Sequence, residues 1–248
     1  SVLGLDTLLQ KYGSMKREAV MAPAIKLADE GFVLNAADVA IMNTSTKSFA
    51  ERPNVASIFL HDGKPWAAGD LFIQKNLANT LKQIAASGPD AFYKGPIANA
   101  LVEASAKNGG IITKQDLADY TVSEEAPVRC NYRGFDLISA PPPSSGGVAI
   151  CEILNILSGY PMHDLGFHSA EGIHYLVEAM RHTYVDRNFQ LGDPAFVKNP
   201  IDKLLSDSYA AEIRAKIDPN KATASKEVQP STPPHEGDQT THYSIVDA

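Results

Sequence analysis

The chemistry-bearing residues of this chain cluster in three places, and the first is its end, QTTHYSIVDA. Gln239 is followed by Thr240 and Thr241, and the alternation after them reads as a strand. Thr240, His242, Ser244 and Val246 share one face; Thr241, Tyr243 and Ile245 share the other. An ordinary strand accounts for this pattern, since threonine is a good strand former. A second reading gives Thr240 a reaction. A threonine hydroxyl is a weak nucleophile unless a base stands beside it. An N-terminal threonine carries its own base, an α-amine with a pKa of about 8, partly neutral at physiological pH. Cleavage of the Gln239–Thr240 bond is what would create that amine.

The second place is the row His174, Glu178, His182, at i, i+4 and i+8 of a helical pattern. Imidazoles and a carboxylate one turn apart can share a metal ion. The HExxH order is absent and Arg181 stands among the three, so the row reads as a hydrogen-bonded helix face, and no metal ligand is assigned. The third is PPPSSGG, residues 141–147, ahead of a helix. Backbone N–H groups and two hydroxyls at a helix start suit an anion. The motif lacks the GK[ST] of a P-loop, and Ser144 and Ser145 do not sit in a GxSxG elbow. It reads as a stiff corner whose glycines permit close packing.

The elements that must position these residues are mostly helices. Leu5, Leu8, Leu9 and Tyr12 recur at helical spacing and Gly13 stops them; Val20 to Gly31 repeats the pattern. VASIFLHDGKPW, residues 55–66, reads as a short strand with a hairpin turn at Asp62-Gly63. Two helices joined at Ser87-Gly88-Pro89 follow, then a short one opened by a capping box from Thr113 to Asp116. Residues 127–139 predict a second hairpin turning near Asn131–Gly134. A long helix runs from Ser169 to about Gln190, with Ile173, Leu176, Val177, Met180 and Tyr184 at inward spacing, and another covers about Ser206–Ile217. From Pro219 to Gln239 apolar residues nearly vanish and four prolines appear, the composition of a tether. The expected organisation is one helix-rich α+β domain over 1–218, a flexible tether over 219–239, and a strand over 240–248.

The bulk numbers bound the class. At 248 residues and 44% hydrophobic the chain can bury a real core. A net charge of -7, with lysines and arginines scattered singly, argues against nucleic acid. No apolar run approaches the roughly 20 residues that span a bilayer. Cys130 and Cys151 have no CxxC or metal spacing; two free, partly buried thiols are the plain expectation, with a single bridge left open. The start, Ser1-Val2-Leu3-Gly4-Leu5, shows no initiator methionine or export signal, and both ends read as cut from a longer chain.

QTTHYSIVD resembles the subunit junction of the γ-glutamyltranspeptidases, where the small subunit opens with Thr-Thr-His. GPDAFYKG, GGIITKQDLADY, YRGFDLISAPPPSSGG and YVDRNFQLGDPAFV resemble landmarks of the same family's large subunit, in the same order. The resemblance implies an N-terminal-nucleophile hydrolase fold, a four-layer αββα sandwich of which this chain holds a helix-rich portion. It implies a precursor that cuts itself between Gln239 and Thr240, with Thr240 as the nucleophile, no organic cofactor and no metal. The partners implied are the small subunit from the same precursor, glutathione or another γ-glutamyl donor, and acceptor amino acids, peptides or water. The family's γ-glutamate-binding arginine is expected upstream of Ser1, and its other substrate contacts and oxyanion donors downstream of Ala248. No substrate-binding residue is therefore assigned within the chain, and the piece by itself is expected to be inert. A cephalosporin or glutaryl acylase of the same family and a non-catalytic scaffold are the alternative readings, and a periplasmic or secreted parent is expected.

Overall fold

A computed structural model describes residues 1–228 in two compact units that meet in sequence at Ser123–Glu124. The crossing falls inside the span 1–218 read as one domain. It is the short polar stretch TVSEEAP, which carries no long linker signature.

The first unit contains α1 (Val2–Tyr12), α2 (Arg17–Glu30), β1 (Phe32–Val33), α3 (Ala36–Asn43), α4 (Thr46–Ala50), α5 (Pro53–Phe59), β2 (Leu71–Phe72), α6 (Lys75–Ser87), α7 (Pro89–Tyr93), α8 (Pro96–Lys107) and α9 (Lys114–Ala118). Its stops and starts follow local chemistry. Gly13 ends α1 with its N–H on Leu9 O. Gly31 ends α2 at φ 84°, and a Cβ there would lie 2.9 Å from Phe72 O, so only glycine lets β1 pair with β2 so close to the helix end. The capping box of α9 is present as expected: Thr113 accepts from Asp116 N and Asp116 accepts from Thr113 N. Asp29 of α2 takes Lys75 and Lys82 of α6 at 2.8 and 2.7 Å, and the two ammonium groups hold its carboxyl down at about 2.

The strand expected in VASIFLHDGKPW is instead α5. Pro53 sits at its first turn with φ already suited to a helix. Phe59 packs on Phe49 and Phe72, with ring centroids 5.3 and 6.2 Å apart, and that packing overrides the β-preference of Val55 and Ile58. The turn survives, with Asp62 and Gly63 at positive φ and His61 bridged to Lys64.

The second unit contains β3 (Val128–Tyr132), β4 (Phe135–Ser139), α10 (Gly146–Leu157), α11 (Ala170–Gln190), α12 (Ile201–Leu204), α13 (Asp207–Arg214) and α14 (Ser225–Val228). The hairpin β3–β4 is antiparallel, Tyr132 opposite Phe135, as the 127–139 pattern predicts. Its core packs Ile156 and Leu157 of α10, Tyr175 and Ala179 of α11, and Ala210 and Ile213 of α13. A second cluster joins Val128, Val148, Cys151 and Leu204.

Two expectations are corrected here. Cys130 and Cys151 are not free thiols: they form a disulfide joining β3 to α10, with Cα atoms 5.9 Å apart. The hairpin lies against α10 and brings together two cysteines 21 positions apart, a proximity no linear spacing reveals. And α11 is turned away from its predicted inward stripe. Ile173, Leu176, Val177, Met180 and Tyr184 are exposed among the described residues, while Gly172, Tyr175, Glu178, Ala179, Thr183 and Asp186 are buried. The buried row keeps helical periodicity, but half of its members are polar or charged. The described residues make a helix-rich α+β portion with short strands.

Candidate functional site

Gln239 and Thr240, with Thr241 and His242, lie outside the described residues. The structure does describe the chain leading toward them as far as Val228, twelve positions before Thr240.

That leading segment is held by α11. His174 Nε2 meets Asp218 O at 2.8 Å. Glu178 Oε1 accepts the Thr223 N–H at 3.0 Å. Arg181 donates to the Ser225 hydroxyl and pairs with Glu178 at 3.3 Å. Asp218 and, within the expected tether of 219–239, Thr223 and Ser225 are thus attached, each meeting a polar side chain successively further along α11. The same contacts decide the row His174, Glu178, His182. His174 and Glu178 meet different points of the outgoing chain, His182 Nε2 is buried without a hydrogen-bond partner, and no metal-holding group of three is found among the described residues. His182 is half-buried, and burial, with Lys216 nearby, lowers its pKa from the usual imidazole value.

Behind this face lies a network that no motif announced. Glu152 of α10 is 1% exposed and Asp186 of α11 is 6% exposed. Tyr209 of α13 donates its hydroxyl to Asp186 Oδ2 at 2.7 Å, and Gln190 donates to Asp186 Oδ1. Burial, first, and the neighbouring Asp186 carboxyl, second, push Glu152 up to about 9, so it is a neutral acid near pH 7. Burial and the bond to Asp186 likewise raise the Tyr209 phenol. A hollow of about 450 Å³ adjoins the network, with His182, Asp186, Tyr209, Lys216, Thr223 and Glu227 on its wall. Two carboxyls from different helices at one buried point are the only signal, and sequence separation hides it.

PPPSSGG forms the corner expected of it. Ser145 accepts from Arg187 Nε at 2.9 Å, which ties the start of α10 to the end of α11. Gly147 is buried, and a Cβ there would stand 2.5 Å from Ala140 O. The corner therefore needs hydrogen at that position, and its hydroxyl faces an arginine of the chain itself.

Residues 1–248 match the family model described as gamma-glutamyltranspeptidase. The chain is 56% identical over 248 residues to the glutathione hydrolase proenzyme of Pseudomonas sp. (strain A14), covering 100% of this chain and 43% of that protein. It is 40% identical over 240 residues to the acylase ACY 1 proenzyme of Pseudomonas sp. (strain SE83), covering 97% and 42%. The gamma-glutamyltranspeptidase of Helicobacter pylori has a similar fold, with a TM-score of 0.89 at 38% identity over 96% of this chain and 69% of that one. The chain thus spans less than half the length of the curated relatives it matches.

Proposed function

The chain belongs to the gamma-glutamyltranspeptidase family, and from that membership we propose that it is part of a precursor that cuts itself at Gln239–Thr240 and then uses Thr240 as its nucleophile. The observation that carries this reading is the family match continuing through QTTH at 239–242. In maturation the Thr240 hydroxyl adds to the Gln239 carbonyl; the Thr240 nitrogen leaves as the amine and water opens the resulting ester. In turnover the freed amine takes the hydroxyl proton as the oxygen attacks the γ-glutamyl carbonyl of glutathione or a related amide. The proton passes to the departing amine, and a γ-glutamyl ester remains on Thr240. Water, or the amine of an amino acid or peptide, then releases it.

The partner is the small subunit beginning at Thr240, and together the two make the αββα sandwich of an N-terminal-nucleophile hydrolase. The uncovered stripe Ile173, Leu176, Val177, Met180 and Tyr184 on α11 supports this, since apolar surface of that kind is usually covered by another layer. The isolated 248-residue chain is inert, because a lost oxyanion donor alone costs about 10²–10³ in rate. The Cys130–Cys151 bridge supports an exported, oxidising location for the parent.

Similarity to an acylase proenzyme supports a second reading, amide hydrolysis of a glutaryl side chain by the same threonine. Purified full-length protein separates the two. Two bands on a denaturing gel with release of the aniline from a γ-glutamyl anilide support the transpeptidase; two bands with glutaryl-amide turnover alone support the acylase. A single uncut band without turnover sinks both.

A further inference from the structure

The row His174, Glu178 and Arg181 runs for two turns along one face of α11 and holds three successive points of the outgoing chain: Asp218 O, the Thr223 N–H and the Ser225 hydroxyl. Seven residues separate the first and last members on both strands of this contact, so helix and outgoing chain run in step. Glu178 is the centre of it. The residue is 1% exposed, and one of its oxygens receives both the Thr223 amide and the Arg181 charge.

A carboxylate is costly to bury unless donors reach it. Here the donor is not on a neighbouring helix but on the backbone of the segment that leads to residue 240. We propose that Glu178 is a positioning residue for self-cleavage: by holding Thr223, it fixes where the chain leaves α11 on its way to the Gln239–Thr240 bond. The inference rests on the functional reading given above. Its physical content is a fixed exit: Glu178 holds the backbone at Thr223, between the His174–Asp218 and Arg181–Ser225 contacts. With that hold lost, the backbone at Thr223 regains conformational freedom, and the direction in which the chain leaves α11 is no longer set. Arg181 and Ser225 act in the same sense, with Arg181 also balancing the buried charge.

The test uses the full-length precursor and times the appearance of the two subunits. Glu178→Ala removes the acceptor, Thr223→Pro removes the donor without touching α11, and Glu178→Gln keeps an oxygen that can accept. The expected result is cleavage slowed about twofold or more by the Ala and Pro variants, no further slowing when they are combined, and near-normal cleavage in the Gln variant. Hydrogen exchange at the Thr223 amide should be protected in the wild type and the Gln variant and fast in the Ala variant. Additive slowing in the double variant, or a normal rate for Thr223→Pro, overturns the proposal by showing that Glu178 matters only to the packing of α11. Thr240→Ala is run alongside. If it stays uncut while Glu178→Ala and Thr223→Pro cleave at the wild-type rate, the anchor fails and the nucleophile stands. If Thr240→Ala is cut, the nucleophile assignment itself fails.

Discussion

The Tyr209 hydroxyl of α13 donates to Asp186 of α11 at 2.7 Å, directly beside the buried Glu152 of α10. Three helices therefore meet at two carboxyl groups and a phenol, in the interior of the second unit. Removing the donor with Tyr209→Phe should leave an Asp186 oxygen short of a partner and cost about 1–3 kcal/mol of stability. Urea unfolding of the two proteins measures it, and an unchanged midpoint would show the bond to be idle.

Glu152 makes stability depend on pH in a stated direction. Its folded value of about 9 lies above the ordinary 4.5, so between those limits the folded protein holds a proton that the unfolded chain has lost. Stability from this group is complete below about pH 4.5 and falls as pH rises toward 9. Glu152→Gln supplies a permanently neutral group of the same shape. It should be the more stable protein at pH 8, by on the order of 1–3 kcal/mol, and should flatten the decline from pH 5 to 9. Parallel pH profiles for the two proteins would contradict this.

The disulfide gives a separate prediction. Closing the 21-position separation between Cys130 and Cys151 should contribute about 3 kcal/mol by restricting the unfolded chain. The double variant Cys130→Ala, Cys151→Ala should lose about that much, and the wild type should lose it only in the presence of reductant. Equal melting with and without reductant would mean that the bridge does not form.

At the corner before α10, Gly147→Ala should be costly and Gly146→Ala mild. The added carbon at 147 meets Ala140 O at 2.5 Å, whereas at 146 the nearest atom is 3.9 Å away. The first should destabilise by more than about 2 kcal/mol, the second by less than about 0.5 kcal/mol. Thermal melts of both variants check the contrast.

Which of these features could be read beforehand follows from how local their causes are. The Thr113 capping box, the Asn131–Gly134 hairpin and the Gly13 and Gly31 stops depend on a few neighbouring residues, and all are present. The α5 helix was hidden because Val55, Ile58 and Phe59 favour a strand locally, while the contacts of Phe59 with Phe49 and Phe72 are not local. On α11 the apolar stripe pointed to the wrong face. The buried face carries Glu178, Thr183 and Asp186, whose partners come from α10, α13 and the outgoing chain. The Glu152–Asp186 pair and the Cys130–Cys151 bridge were illegible for the same reason. The junction at Gln239 and Thr240 is the reverse case, legible as a motif and outside the described residues.

The central claim is that one oxygen, on Thr240, performs both the self-cleavage and the transfer. Its direct measurement is the intact mass and γ-glutamyl turnover of full-length Thr240→Ala and Thr240→Ser, beside Thr241→Ala as a neighbour control. The account predicts a single uncut, inactive chain for Thr240→Ala, slow cutting with some turnover for Thr240→Ser, and a milder loss for Thr241→Ala. Thr240→Ala protein that still separates into two chains, the second beginning at residue 240, and still releases γ-glutamyl groups would contradict it.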